Sequence, residues 1–329
     1  MTLLLELTLP LFAVAGLGLL AAATRMLGNG AVRALNVFVF WFAMPALLVK
    51  AIGSAPFASV LDARFFAAYL IAGLSIFFLA ALCARVLTGA DLGRMAMAGQ
   101  ASCVANLGFL GLPLTFAAFG PVAAGPFAMA MIVDLVIIIP MTIALLEWAK
   151  LRSARRATTD EATTARLTVP AEEQHTTPAA IARNVVLNPF FLSIVAGLAL
   201  SASGLSLPVP ATRFLDFLSG AAGPTALFAL GASLAGRRVA GDGIAITIPV
   251  VIKLVAHPVL AAILLGPVFG VRAEWLAVGI VFAALPIAGN SFVLAEQYSV
   301  AVRRTSSAIL ISTALGVVTV AVALGAAGR

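Results

Sequence analysis

Two short runs of this chain concentrate groups able to hold a ligand inside an apolar environment. The first is Asn106-Leu107-Gly108-Phe109-Leu110-Gly111-Leu112-Pro113, where four helix-weakening residues fall within eight positions. The second is Pro286-Ile287-Ala288-Gly289-Asn290-Ser291, which is equally dense. Both interrupt long apolar stretches. A helix interrupted in hydrocarbon frees backbone N–H and C=O groups, each costing several kcal/mol unless protein or trapped water meets it. Breaks placed near the middle of such stretches are therefore candidates for function. Asn106 and Asn290 bring donors and acceptors without a full buried charge, so each can touch a solute, satisfy the unwound backbone, or do both. Ser102 and Ser291 stand within a turn of the breaks, and Gln100 can line the same route.

Charged residues inside apolar stretches form a second group, because they are rare there and usually functional. Asp134 is one. Lys253 and His257 lie one helical turn apart on a common face, with Pro258 following. If Asp134 meets that face, the three can carry a coupling proton, supply positive potential for an anion, or form a static pair that fixes the surrounding helices. His257, standing before a proline, also fits a hydrogen-bonded structural role. Lys50 and Glu147, near the ends of apolar stretches, fit snorkelling to the interface.

The elements that must position these groups repeat. Pro10, Gly18 and Pro45 recur as Pro189, Gly197 and Pro224, each 179 residues later, and the two interrupted runs are offset by 181. Matching Pro/Gly/Asn breaks in two halves of a membrane protein are the sequence signature of a secondary transporter, with the solute at the breaks. Pro10 and Pro189, with Pro140 and Pro249, are expected to kink helices.

The membrane class follows from composition: 62% of residues are hydrophobic and 10% charged, against about 25% charged in soluble domains. Ten apolar stretches approach or exceed the length needed to span the bilayer: 3–24, 34–52, 65–86, 95–118, 125–147, 186–203, 214–235, 244–266, 274–297 and 306–326. The first lacks a positive n-region and reads as a retained span. Arginines and lysines crowd one set of loops, including Arg25, Arg33, Arg85, Arg94, Lys150, Arg152, Arg237, Arg238, Arg303 and Arg304. That asymmetry places both termini outside. Five spans per half then make the repeat inverted. The division expected is a first repeat at 1–148, a cytoplasmic linker at 149–185 rich in Thr, Ala and charge, and a second repeat at 186–329. The net charge of +7 is explained by span ends rather than by nucleic acid. Cys83 and Cys103 read as reduced packing residues.

Asn-x-Gly-Phe-x-Gly-x-Pro at 106–113, with Leu285-Pro286, Asn290, Phe292, Ala295 and Tyr298 in the second run, resembles the auxin efflux carrier family. That family includes plant auxin exporters and bacterial permeases assigned to malonate and malate. The resemblance implies an all-α, ten-helix 5+5 inverted repeat similar to bile-acid symporters and sodium/proton antiporters. In it, interrupted spans four and nine cross at mid-membrane. Spans 1, 2, 6 and 7 form a scaffold facing a transport bundle of spans 3–5 and 8–10, and a homodimer through the scaffold is plausible. Ala105 stands where the plant carriers have a proline, so Gly108 is expected to take over the first break. Ile287 stands where they have a polar residue.

At such a crossing two helix N-termini present unpaired N–H groups suited to a carboxylate. The substrate-binding set expected is Asn106, Gly108, Pro286, Ile287, Asn290, Ser102 and Ser291. Asp134, Lys253, His257 and Gln100 serve coupling or electrostatics. The reading is a carrier in the bacterial inner membrane, surrounded by lipid, for small organic anions: malonate-like dicarboxylates or auxin-like monocarboxylates beside an apolar Ile287. No cofactor is expected beyond possible H+ or Na+ coupling. A cation exchanger or sodium symporter of the same fold, or a channel or sensor, stays open. An enzyme is disfavoured, since neither a His-Glu-x-x-His motif nor an intramembrane carboxylate pair at catalytic spacing occurs.

Overall fold

The computed structural model describes residues 2–28, 30–160, 177–236 and 242–326. Among these the chain is helical, and the sole extended pairing is one isolated bridge between Ala105 and Ile287. The first half comprises α1 (Thr2–Ala23), α2 (Ala31–Gly53), α3 (Ala63–Thr88), α4 (Leu92–Cys103), α5 (107–119) and α6 (124–160). After α7 (Pro178–Val186) come α8 (Pro189–Ser203), α9 (Val209–Leu234), α10 (Gly243–Val268), α11 (Ala273–Ala284), α12 (Asn290–Gln297) and α13 (Val302–Ala326). Six apolar helical runs are long enough to cross a bilayer unaided, so the protein is membrane-embedded. One of them, 107–153, has 47 residues, about twice what a bilayer needs. It is divided at Gly120, whose φ of 67° a residue with a side chain rarely adopts. The interrupted stretches fall short singly because each is split into two short helices.

Caps fix the starts. Asp62 accepts from the N–H groups of Arg64 and Phe65 at the head of α3, and Asp242 accepts from Ile244 at the head of α10. Those two helices have 26 residues each, and α4 and α11 have 12 each. Prolines shape the helix interiors. Widened turns at Val39–Ala43, Leu107–Gly111, Val133–Ile138 and Ile252–Ala256 each end two residues before a proline: Pro45, Pro113, Pro140 and Pro258. A proline cannot donate to the carbonyl four residues back, and the preceding turn relaxes to a wider bonding pattern. Asp134 and Lys253 both lie in such turns. Pro189, expected to kink a helix, instead occupies the first turn of α8 behind the Asn188 cap, where its missing N–H costs nothing. The expected linker at 149–185 begins later than its composition suggests. The run from Ala144 to Ala157 lacks Gly and Pro and is rich in helix formers, so α6 continues to Asp160. Of that linker, residues 161–176 lie outside the described residues.

Packing sorts the helices into two groups. α1 lies along α9, and α2 lies along α8 and α9. In the other group α3 packs on α4, α4 on α6, and α10, α11 and α12 on α13. Lipid offers no hydrophobic drive for helix association, so close backbone approach matters more. A Cβ on Gly18 would collide with the Phe228 carbonyl, and one on Gly231 with the Ala15 carbonyl. These two glycines let α1 and α9 touch. Val251, Val255, Val259 and Ile263 form an exposed apolar stripe at four-residue spacing on α10, suited to lipid.

Gly231→Val is expected to force α1 away from α9 and lower the melting temperature of the purified protein. Gly220→Val, on the same helix with nothing within 4 Å of its Cβ, is expected to leave it unchanged. Equal melting of both variants would show that this approach is not tight.

Candidate functional site

The two interruptions lie against each other. The Asn106 N–H donates to the Pro286 carbonyl at 2.9 Å, and the Ala288 N–H donates to the Val104 carbonyl at 3.2 Å. Backbone freed by one break is thus met by the other, as burial in lipid demands. The first break falls at Val104–Asn106, with Gly108 already inside the next helix. That corrects the expectation that Gly108 makes it: with Val104 in extended backbone and the Asn106 carboxamide as cap, no glycine is needed there.

The end of α11 is closed by side chains from neighbouring helices. Lys253 Nζ donates to the Ala283 carbonyl at 3.0 Å, and Thr319 Oγ1 donates to the Ala284 carbonyl at 3.0 Å. Ser312 Oγ accepts from the Ile287 N–H at 3.2 Å. Ser312 and Thr319 were not in the sequence-based set. Hydroxyls in an apolar helix are a weak signal, because they commonly bond their own helix.

The helix starts are different. Asn106 Oδ1 accepts from the Phe109 N–H at 3.3 Å, capping α5. The N–H groups of Gly108, Gly289 and Asn290 have no protein acceptor among the described residues. All three residues, with Asn106, line one cavity of about 860 Å³ between the two helix groups. Its other wall includes Arg33, Asn36, Phe40 and Trp41 of α2 and Phe190 of α8. Phe40 and Phe190 meet edge to face at 5.0 Å, and a Cβ on Gly108 would come within 3.1 Å of the Phe190 ring. Two helix N-termini and two carboxamides therefore converge on one space with positive partial charge. The cavity extends to Gly30, Arg33 and Ser233, on the side expected from the basic residues to face the cytoplasm.

The expected residues divide. Asn106, Gly108, Asn290 and Asp134 line the cavity. Pro286 takes part through its carbonyl alone. Ile287 is fully buried, packs with Ala101, Val250, Leu254 and Ile309 on the far side of the break, and does not line the cavity, contrary to the expected placement beside the solute: alternation along the extended segment turns it away. Ser102 bonds the Ala98 carbonyl at 2.8 Å within its own helix. Gln100 and Ser291 are buried outside the cavity, and neither the Gln100 amide atoms nor Ser291 Oγ has a hydrogen-bond partner among the described residues. Asp134 makes no ion pair with Lys253 within 4 Å, although the two remain in electrostatic reach. Lys253 is instead held by the Ala283 carbonyl and by His257 Nδ1 at 3.0 Å. With Lys253 as donor, the ring hydrogen of His257 lies on Nε2, which has no partner among the described residues. Cys83 and Cys103 are free thiols. Glu147 accepts from the Tyr298 hydroxyl at 2.8 Å, joining α6 to the end of α12. Lys50 pairs with Asp216 at 2.6 Å.

Comparison with known proteins adds a second line. The family described as "Membrane transport protein" matches residues 3–324. A protein of Rhizobium meliloti (strain 1021) named "Putative malonate transporter" is 31% identical over 314 residues, covering 95% of this chain and 92% of its own length.

Lys253→Met keeps the apolar stem but orphans the Ala283 carbonyl, a loss of about 1–3 kcal/mol. Thr319→Val orphans the Ala284 carbonyl and is expected to cost about 1 kcal/mol. Lower melting temperatures, larger for Lys253→Met, are the expected outcome. Unchanged melting in both would show that the break stands without these caps.

Proposed function

Because the chain belongs to the membrane transport protein family, that of the auxin efflux carriers, we propose that it is a secondary transporter moving small organic anions by alternating access. The observation that carries this reading is the convergence of the free N–H groups of Gly108, Gly289 and Asn290 with the Asn106 and Asn290 carboxamides on one cavity. A carboxylate accepts several such donors at once, and no fixed cation is needed to hold it. Release stays possible for the same reason.

The architecture proposed is a ten-span 5+5 inverted repeat whose interrupted spans cross at the site. Its support is internal. α3 and α10 correspond at an offset of 180 residues, down to their Asp62 and Asp242 caps, and α4 and α11 at 181. α1 on α9 mirrors α8 on α2. In this scheme α1, α2, α8 and α9 form the scaffold, and α3–α6 with α10–α13 form the moving bundle. The cavity between them faces the cytoplasm, with both termini outside a bacterial inner membrane. Solute would cross as the bundle carries the paired breaks past the scaffold. Asp134, on the cavity wall and in electrostatic reach of Lys253, is placed to link the solute to a coupled charge.

Two solute classes compete. The Rhizobium relative's name points to malonate. The aromatic wall of Phe40, Trp41, Phe109, Phe190 and Phe292 favours a monocarboxylate with an apolar body. Counterflow in proteoliposomes, with labelled malonate or labelled indole-3-acetate inside and out, separates them. Saturable exchange of one, lowered at least about tenfold in Asn106→Ala, is the expected result. Exchange unaffected by Asn106→Ala would remove the site proposed.

A further inference from the structure

A second cavity, of about 920 Å³, lies away from the breaks, where helices of the second packing group end. Its walls come from the end of α3, the start of α4, the far part of α6 and the end of α12. Arg85 of α3, with Lys150 and Arg152 of α6, lines it. None of these three cations has a carboxylate within 4 Å among the described residues. Arg85 donates to the Ala90 carbonyl at 3.4 Å. The carboxylates on the wall, Asp91 and Glu147, are engaged elsewhere. Asp91 pairs with Arg94 Nε at 3.0 Å, and Glu147 accepts from the Tyr298 hydroxyl at 2.8 Å. Asp91 also caps the Arg94 N–H, which leaves the N–H groups of Leu92 and Gly93, both on the wall, with no protein acceptor among the described residues. Basic loops are expected on the cytoplasmic side, but their charges would repel less if they spread apart in water. Here they gather in one hollow beside a helix N-terminus. An anion with several acceptor oxygens relieves that repulsion.

The surroundings choose between anions. Along α3, Phe78, Leu82 and Val86 form an exposed apolar stripe at four-residue spacing, and Arg85 stands one turn beyond Leu82. Along α6, Trp148 and Leu151 are exposed. Arg152 stands one turn beyond Trp148, its guanidinium 5.2 Å from the centre of that ring. On both helices a surface suited to acyl chains therefore ends in a guanidinium that borders the cavity. Tryptophan marks headgroup depth, and a guanidinium grips a phosphate through paired N–H bonds. A soluble anion would need the cations but not the apolar margins.

We propose that this cavity seats the headgroup phosphate of one anionic phospholipid, whose acyl chains lie along the exposed faces of α3 and α6. The orientation proposed above puts that lipid in the cytoplasmic leaflet. The site has a lever on the breaks. α4 runs from the cavity to the first break, and α12 runs from the second break back to the cavity. Their far ends already meet there, since Val300, just after α12, comes within 3.5 Å of where a Cβ on Gly93 would sit. A headgroup seated beside that contact ties the two helices together. Lipid composition then sets how readily the group holding both breaks moves as a unit, a consequence that rests on the alternating movement proposed above.

The test is native mass spectrometry of the purified full-length protein in neutral detergent, titrated with dioleoylphosphatidylglycerol or dioleoylphosphatidylcholine. Retention of phosphatidylglycerol in preference to phosphatidylcholine is expected. Arg85→Gln and Arg152→Gln should each raise its half-saturation by about fivefold, the effect of one cation at a membrane surface. Arg303→Gln, which removes an exposed cation outside the cavity, should leave it unchanged. Equal retention of the two lipids would overturn the proposal. So would a half-saturation unmoved in both cavity variants, or moved as far in Arg303→Gln. Should either cavity variant fail to fold, Lys150→Gln carries the same expectation. Displacement of the lipid by inorganic phosphate or glycerol 3-phosphate at matched concentration would reveal a soluble-anion site and overturn the lipid assignment. No transported solute enters this measurement. Equal lipid retention therefore leaves the anion site at the breaks standing, and absent counterflow leaves the lipid site standing.

Discussion

Everything at the centre of this protein depends on the need to satisfy interrupted backbone where water is scarce. Two helices stop inside the protein, and each stop exposes donors on one side and acceptors on the other. The pairing of Asn106 with Pro286, and of Ala288 with Val104, lets each break supply what the other lacks. Neither break is self-sufficient, so the two segments must stay together. The remainder is unequal. Free N–H groups remain at the starts of α5 and α12, facing the cavity, and free carbonyls remain at the end of α4.

Proline placement turns this constraint into a site. Four widened turns each precede a proline by two residues, and two of them carry Asp134 and Lys253. Widening brings an extra residue into the turn and re-aims side chains that a regular helix would spread evenly. The Lys253 ammonium thereby reaches across to the end of another helix. His257, one turn on, shares its load. Lys253 alone holds the Ala283 carbonyl, and that contact ties the conformation of α10 to the break in α11.

The cavity at the breaks carries polar groups without a dense charge. Its donors are backbone dipoles and carboxamides, which under the function proposed would hold an anion and also let it go. Of its aromatic wall, Phe40, Trp41 and Phe190 belong to α2 and α8, while Phe109 and Phe292 lie beside the breaks that supply the donors. Under the function proposed, a solute there would contact both helix groups at once, and movement of one group against the other would change its surroundings on all sides. Close packing at Gly18 and Gly231 holds α1 against α9.

By itself the sequence determined the membrane class, the positions of the interruptions and the family, because apolar length, helix-breaking residues and spacing are local properties. Asn106 and Asn290 were legible for the same reason: a carboxamide beside a break in an apolar run has few other uses. Tertiary structure decided which freed groups were met and which were not. It turned Ile287 away from the cavity, kept Lys253 from pairing directly with Asp134, and brought Ser312 and Thr319 from α13 to the second break. It also left Gln100 and Ser291 without partners among the described residues. No pattern along one helix carries that information, since the partner of a freed backbone group is set by whichever neighbouring helix passes within hydrogen-bonding distance.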